Sequence, residues 1–374
     1  VRIMAYTTID DPSAHFQAET YTGAGANTAV TFSGNSNLQP DLLWIKNRSA
    51  GYAHFLVDSS RNISYAQNST NAPYLEPDST ALENNNQNWM SSVGSDGFTT
   101  GISEHINSNS GSSFVAWAWK LNGGTTSSNT DGNITSTVQV NSTAGMSIGT
   151  YTGNNGYKTV GHGLGAIPDL VMIKGRDGSG LGGAAQYWVV GAPNHTNFGN
   201  NSSKHVFLDG TQALMHNTTV WYNTAFTTTT IPIGPHASLN ATGAKYVFYA
   251  FKNVKGFSKI GHYVGNGNTD GPFVHTGFKP RWVLIKNLDA TQVWIMYDGA
   301  RKPVNRDDNV ASIYASETSA EYTGASYHNL DILSNGFKIR LTDASQNGNG
   351  VDYLYMAFAE NPFVTSTGVP TTAR

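Results

Sequence analysis

The sequence contains no cysteine among its 374 residues. This absence excludes a disulfide-stapled scaffold, a thiol nucleophile and any zinc or iron–sulfur site with cysteine ligands. No apolar run approaches about 18 residues, so no segment is predicted to span a membrane. The first residues, from Val1 to Tyr6, lack the apolar stretch of a secretory signal, and we expect no signal peptide there.

Charge is also scarce. Charged residues make up 13% of the chain and the net charge is −3, whereas soluble proteins carry about 25% charged residues. Without a basic surface field, we expect no nucleic-acid partner, and without a long apolar run we expect no membrane insertion. Uncharged polar residues take the place of charge, with 37 Asn, 34 Ser, 39 Thr and 40 Gly, and aromatic residues at 11% exclude wholesale disorder. This composition favours an extracellular all-β protein over a helical or nucleotide-handling enzyme.

Three copies of one sequence unit follow one another along the chain. Each copy has an opening tyrosine, a proline that starts an apolar strand, a lysine six residues later, and an alanine in a closing aromatic strand. These landmarks are Tyr21, Pro40, Lys46 and Ala118; Tyr151, Pro168, Lys174 and Ala250; and Tyr263, Pro280, Lys286 and Ala357. Four landmarks in the same order, three times over, predict three structural repeats of about 105 residues.

The runs between turn residues are short and rich in Val, Ile, Trp, Tyr and Phe, which is typical of strands. They predict an all-β protein of three tandem antiparallel β-sandwich repeats, jelly-roll-like in style. Both faces of the closing strands are apolar, so we expect a neighbouring repeat or chain to cover the second face. The predicted organisation is a leader (1–14), repeat 1 (15–120), a Thr/Ser/Gly-rich linker (121–145), a divergent repeat 2 (146–253), repeat 3 (258–363) and a tail (364–374). Short stretches at 79–83 and 315–321 are predicted to form a helical turn or two.

Few residues carry a chemical signature. Asp58 with Arg61, and Asp298 with Arg301, recur three residues apart after the second strand of repeats 1 and 3, which predicts a turn-locking ion pair. The segment 178–183 matches a dinucleotide fingerprint, but a strand rather than a helix follows it, so we interpret it as a loop. The sequence has no nucleophile motif and no metal-ligand spacing. We therefore predict no catalytic residue, no cofactor and no metal site.

Glycoside hydrolysis needs only two carboxylates at a suitable separation, so it is weighed separately. None of the candidate residues recurs in all three repeats. They are Glu76, Glu83, Glu104, Glu317, Glu321 and Glu360. A secreted polysaccharide-active enzyme is kept as the least favoured alternative.

Aromatic residues in polar loops are the candidate glycan-binding residues. Trp89, Trp221 with Tyr222, and Tyr327 occupy comparable places, each before a strand that begins near a phenylalanine. An aromatic ring offers a flat apolar face to a sugar, and neighbouring Asn side chains can bond its hydroxyls. The alternative is that these rings cover a sheet edge or a subunit interface.

Several phrases resemble a repeat domain of virion proteins of tailed phages, many of them marine. They are Gln39 to Arg48, Phe114 to Lys120, Gly277 to Lys286, Tyr353 to Phe363 and the leader Ala5 to Ser13. The resemblance covers repeats 1 and 3, whereas repeat 2 departs from it. Proteins of this kind are generally tail-fibre-like or other virion surface components, related in style to concanavalin-like lectin sandwiches.

The resemblance implies a non-enzymatic virion surface protein, either a tail fibre or a receptor-binding adhesin that contacts host-surface glycans. We expect it to form a homo-oligomer, with a trimer favoured, and to bind other virion proteins. A capsid decoration protein and a subunit of an extracellular filament remain as alternatives.

Overall fold

The computed structural model describes residues 6–61, 73–85, 89–108, 111–180, 184–301, 305, 311–324 and 329–371. Within them the chain is an all-β sandwich protein built of antiparallel sheets. The first group of strands, unit 1, comprises β1 (Phe16–Thr22), β2 (Thr28–Val30), β3 (Leu42–Asn47), β4 (Phe55–Asp58), β5 (Met90–Gly94), β6 (Gly97–Thr100) and β7 (Ser113–Trp119).

Two strands follow unit 1: β8 (Ser127–Asn129) and β9 (Ser136–Asn141). Unit 2 comprises β10 (Met146–Thr152), β11 (Lys158–Gly161), β12 (Leu170–Gly175), β13 (Val189–Gly191), β14 (Lys204–Phe207), β15 (Met215–His216), α1 (Thr218–Trp221), β16 (Thr230–Ile233), α2 (Ala237–Asn240) and β17 (Lys245–Phe251). Unit 3 comprises β18 (Ser258–Val264), β19 (Phe273–His275), β20 (Phe278–Asn287), β21 (Trp294–Asp298), β22 (Ile313–Tyr314), β23 (Leu330–Leu333), β24 (Gly336–Ile339), α3 (Ala344–Asn347) and β25 (Asp352–Pro362). Short 3-10 turns lie at Pro12–Ala14 and Ser59–Arg61. The stretches 79–83 and 315–321 are not helical in the structure.

Each unit consists of a large sheet and a small sheet. The large sheets share the strand order β1-β7-β3-β4, β10-β17-β12-β13 and β18-β25-β20-β21. The small sheets are β2-β6-β5, β11-β16 and β19-β24-β23. In every unit the closing strand therefore lies between the opening strand and the proline-led strand.

The strand registers show that the repeated alanines are structurally equivalent. Ala118 lies opposite Leu43, Ala250 opposite Val171, and Ala357 opposite Val283. All three alanines are fully buried. In unit 1 and unit 2 they face the core between the two sheets of their own unit.

Leucine at each of these alanines is expected to destabilise the protein. The extra methylene and methyl groups enter a filled core, where overpacking costs about 1–3 kcal/mol. Chemical denaturation of the variants A118L, A250L and A357L measures the loss. Unchanged midpoints in all three would mean that the equivalence drawn from the registers is wrong.

The opening tyrosine and the glycine two residues later recur for a physical reason. The hydroxyls of Tyr21, Tyr151 and Tyr263 each donate to a backbone carbonyl near the end of their own unit, at 2.6–2.7 Å. The glycines approach backbone oxygens so closely that a Cβ atom would clash with them. Those glycines are Gly23, Gly153 and Gly265.

The closing strands bury both faces, and the neighbouring units cover the second face. Along β7, Ala116 and Ala118 point into the core of unit 1, whereas Val115, Trp117 and Trp119 point into a central core. That central core contains residues of all three units. Trp119, Phe251 and Phe358 occupy equivalent positions in the three units and meet there. The centroid of the Phe358 ring lies 5.6 Å from that of Trp119 and 6.1 Å from that of Phe251. The expected cover for the second face is thus provided within the chain.

The segment 121–145 is not the free linker that its composition suggested. Strand β9 pairs with β10 and β8 pairs with β9, so both extend the large sheet of unit 2. The Gln139 side chain donates to the hydroxyls of Ser59 and Ser60 in unit 1. Thr and Val are good strand formers as well as common loop residues, so the Thr/Ser content misled the prediction. This segment therefore joins unit 1 to unit 2 by strand pairing on one side and side-chain hydrogen bonds on the other.

Candidate functional site

Each unit donates one ring N–H to a backbone carbonyl of a neighbouring unit. The donor occupies the same position in every unit, opposite the repeated lysine at the start of β4, β13 or β21. The pairs are His54 with Tyr314 at 3.0 Å, Trp188 with Glu76 at 2.8 Å and Trp294 with Phe207 at 2.8 Å. Unit 1 thus bonds unit 3, unit 2 bonds unit 1 and unit 3 bonds unit 2, a closed cycle that we call the three-unit ring.

The repeated lysines follow the same cycle. The ammonium groups of Lys46, Lys174 and Lys286 each donate to a carbonyl of their own unit and to one of the neighbour, and the side chains are buried. The neighbouring acceptors are Thr318 at 3.0 Å, Ser79 at 2.8 Å and Thr211 at 3.0 Å. Burial lowers the pKa of Lys46 and Lys174 to about 8 and that of Lys286 to about 7. These lysines therefore join the units and are not exposed to a ligand.

The predicted Asp–Arg turn locks are confirmed, and they reach further than the turn. Asp298 accepts the backbone and side-chain N–H groups of Arg301 at 2.9 and 2.6 Å, and it also accepts the indole N–H of Trp117 from unit 1 at 2.9 Å. Burial would raise the pKa of Asp298, but the Arg301 charge and the hydrogen bonds hold it below the usual value. Arg301 also pairs with Glu321, which in turn pairs with Arg48 of unit 1. The network closes the junction between units 3 and 1.

The junction between units 1 and 2 repeats that network. Asp58 accepts from Arg61 and from the hydroxyl of Tyr249 in unit 2, at 2.5 and 2.6 Å. Glu83 bridges Arg61 to Arg176 of unit 2. Tyr249 occupies the position of Trp117, and Arg176 that of Arg48, as the strand registers show.

The junction between units 2 and 3 replaces these polar groups with apolar ones. The register places Ala192 where the other units have Asp58 and Asp298, and Met356 where they have Tyr249 and Trp117. Leu214 donates its backbone N–H to Leu288 at 2.8 Å, as Glu83 does to Arg176 and Glu321 to Arg48 at 2.9 Å. The members of the network have changed together, so the position of the buried aspartate and that of its partner both carry apolar side chains here.

His195 occupies the position of Arg61 and Arg301 at this third junction. Its ring is 4.9 Å from that of His262 in unit 3, and its Nδ1 accepts the backbone N–H of Asn197. Burial, together with a smaller effect of the nearby His262 charge, lowers the pKa of His195 to about 4. Lys259 and Asp169 line the same cleft, while Asp352 lies beside Asn197.

Acidification is expected to weaken the fold through His195. The unfolded chain takes up a proton near pH 6.5 and the folded chain only near pH 4, so stability falls as the pH drops through that window. Between pH 7 and pH 4, this effect of His195 lowers the free energy of unfolding by about 1–2 kcal/mol after solvent screening. Melting curves from pH 7 to pH 4 should show a smaller acid loss for H195N, whose side-chain oxygen can still accept from Asn197. Identical acid losses for the variant and the wild type would contradict this assignment.

The predicted glycan-binding aromatics lie in different environments. Trp89 is half-buried and stacks between Tyr74 and His105, at centroid distances of 4.5 and 4.6 Å. Trp221 is 1% exposed and donates its indole N–H to the backbone carbonyl of Lys204. The expectation that Trp221 presents its ring to a sugar is therefore wrong, because the ring packs inside unit 2. For these two residues the structure favours the packing alternative.

Tyr222 is exposed, whereas Tyr327 lies outside the described residues. Tyr222 does not stand alone, because its ring stacks on that of Tyr157 with an angle of 22° between the planes. Tyr157 was not among the residues predicted from the sequence; it precedes β11 and has no aromatic counterpart in the opening loops of the other two units. The signal that could have revealed it is that, of the three loops after the opening strands, the loop of unit 2 alone contains an aromatic residue.

The candidate carboxylates lie mainly in structural contacts. Glu83 and Glu321 belong to the junction networks, and Glu360 pairs with Lys279 at 2.9 Å. Glu317 accepts from Ser319, and the hydroxyl of Tyr52 bonds Glu104. Glu76 supplies the carbonyl for Trp188.

The part of the chain that the structure describes lacks two kinds of feature. It contains no cluster of three or more His, Asp or Glu side chains placed to hold a metal ion. It also contains no helix long and apolar enough to cross a bilayer.

The fold and junctions define a class of protein: three β-sandwich units of one chain, closed on a shared core. The family model described as a domain of unknown function, DUF7483, matches residues 11–362, and the chain belongs to this family. The match extends from before β1 to the end of β25, so it covers all three units. No curated protein and no solved structure matches the chain.

Proposed function

We propose that this chain is a non-enzymatic virion surface protein, a tail fibre or receptor-binding adhesin that contacts host-surface glycans. The observation that carries the adhesive role is the exposed Tyr157–Tyr222 pair, which offers aromatic surface outside a tightly packed ring. The likeness of the repeats to tailed-phage virion proteins supports the location.

The use of the charged residues supports a structural role. Eight charged side chains, Lys46, Asp58, Arg61, Lys174, Lys286, Asp298, Arg301 and Glu321, hold units together or lock turns. In some proteins, buried polar and ionic groups of this kind specify one arrangement of the packed elements. A protein that must keep three units in one fixed geometry outside a cell, without disulfides, has a use for such contacts.

The approximate threefold arrangement of the units favours one second candidate, a capsid decoration protein. A ring of three similar units can present similar surfaces around one axis, which suits a threefold position on a particle. On this alternative the aromatic pair has no glycan partner.

Gold-labelled antibody imaging of intact virions tests the location. We expect label at the distal end of the tail, with competition by the purified protein for binding to host cells. Label spread over the head would replace the adhesin with the decoration protein. Label on filaments that carry no capsid, or no label on particles, would overturn the virion proposal.

A further inference from the structure

Tyr157 and Tyr222 form a small aromatic platform on unit 2. Tyr157 ends the loop between β10 and β11, and Tyr222 directly follows α1. Their exposed fractions are 51% and 44%, and their rings stack on each other. Two large rings that stack in the open, instead of on the core, place an apolar strip in solvent.

The backbone around this platform is unusual. Among the described residues, the non-glycine residues with positive φ are Asn155 at 64°, Tyr222 at 54° and Asn223 at 47°. All three lie in the two loops that hold the platform. A tyrosine in the left-handed region is uncommon, since its Cβ crowds the backbone. Residues held in such conformations cluster at ligand-binding sites, where the surrounding structure enforces them.

Buried hydrogen bonds enforce these conformations. Asn240, which is fully buried, accepts the backbone N–H of Asn154 and donates to the carbonyl of Gly156, and its own carbonyl accepts from Asn155. On the other loop, Asn223 accepts the backbone N–H of Ser203 and donates its own to the Ser203 hydroxyl, at 3.1 and 2.8 Å.

The buried Trp221 side chain holds the loop that contains Tyr222 against the core of unit 2. Its ring packs so closely against Gly191 that a Cβ atom there would lie 2.9 Å from the indole. Its indole N–H donates to the backbone carbonyl of Lys204. Both loops are thus fixed before any ligand arrives. A rigid site loses little conformational entropy on binding, which raises affinity.

The surroundings of the platform are polar and mostly uncharged. Exposed neighbours in the two loops are Asn154, Asn155, Asn223, Thr224 and Ala225. Amide and hydroxyl groups pair with sugar hydroxyls, and a flat aromatic face packs on the C–H face of a pyranose ring. A neutral saccharide matches this chemistry, whereas an anionic ligand would find few cations.

We infer that Tyr157 and Tyr222 form a neutral-saccharide site on unit 2. The corresponding loops of units 1 and 3, from Gly23 to Asn27 and from Gly265 to Pro272, contain no aromatic residue. The inference rests on the proposed adhesive function and gives it a site and a ligand class.

Affinity electrophoresis of the purified full chain tests the site, with dextran, mannan or galactan in the gel and heparin as an anionic comparison. We expect retardation by at least one neutral polysaccharide, and at least tenfold weaker binding for Y157A and Y222N. Asn tolerates the left-handed backbone at position 222, so that variant removes the ring without added strain. The variant Y222F should bind like the wild type, because it keeps the stacking face.

The matched control is F273A, which removes another exposed aromatic ring, from unit 3. It should bind like the wild type. Melting curves of all variants show whether a lost interaction reflects a lost fold. Retardation by heparin alone, no retardation of the wild type, or full binding by a folded Y157A would overturn the site. These results do not depend on virion location, so label at the tail with no saccharide binding would reject this site and leave the tail location standing.

Discussion

Replacing Asp298 with alanine is expected to destabilise the protein by about 3–5 kcal/mol, because it leaves a buried Arg301 with only Glu321 as an ionic partner. The change also removes the acceptor of the Trp117 indole, a bond that joins units 1 and 3. Urea unfolding monitored by tryptophan fluorescence measures the loss.

Two further variants show whether the loss in D298A comes from the buried ion pair. The variant D270A breaks an ion pair whose carboxylate is 79% exposed, so it should cost much less stability than D298A. The double variant D298A/R301M should be more stable than D298A, since it removes both buried charges together, as Ala192 and His195 do at the third junction. If D298A and D270A cost the same, the buried network does not hold the junction between units 3 and 1.

Truncating Trp294 to alanine is expected to cost about 3–5 kcal/mol. Its ring is 1% exposed in the central core, and its N–H bonds the carbonyl of Phe207 across the junction of units 3 and 2. The variant therefore opens a cavity and leaves a buried carbonyl with one bond fewer.

The variant W294F separates these two effects. It keeps most of the ring and loses the N–H, so we expect a cost of about 1–2 kcal/mol in denaturation experiments. Equal costs for W294F and W294A would mean that the hydrogen bond, and not the volume of the ring, carries the contribution. A cost below about 1 kcal/mol for W294A would contradict its placement in the central core.

The repeats were readable in the sequence because their signals are local. Tyr21, Pro40 and Lys46 recur with nearly constant spacing, since each has a fixed task within its own unit. The all-β class follows from the same short apolar runs. The Asp–Arg locks were also predictable, because both members lie three residues apart on one turn.

The contacts between units could not be predicted from the sequence. His54, Trp188 and Trp294 perform one task with different side chains, so identity does not mark them as equivalent. Their acceptors are backbone carbonyls, which leave no trace in the sequence. The joint change to Ala192, Met356, Leu214 and Leu288 becomes visible only when the strand registers align the three junctions.

The candidate glycan residues show the same limit. Trp221 and Tyr222 are adjacent in the sequence, yet one is buried and the other exposed. What separates them is the end of α1, where the backbone turns left-handed at Tyr222. Tyr157 joins Tyr222 from a loop 65 positions earlier, a proximity that only the pairing of β11 with β16 creates.

Units 1 and 3, the first and last of the three along the sequence, close on each other within one molecule. The absence of native cysteine allows a direct test with the pair R48C/E321C. The backbones of these two residues are in direct contact across that junction, where the Glu321 N–H donates to the Arg48 carbonyl at 2.9 Å. After mild oxidation, intact mass and non-reducing electrophoresis should show a disulfide within single chains in high yield, while R48C and E321C alone form none within a chain. A folded double variant that forms no disulfide, or links only different chains, would contradict the three-unit ring.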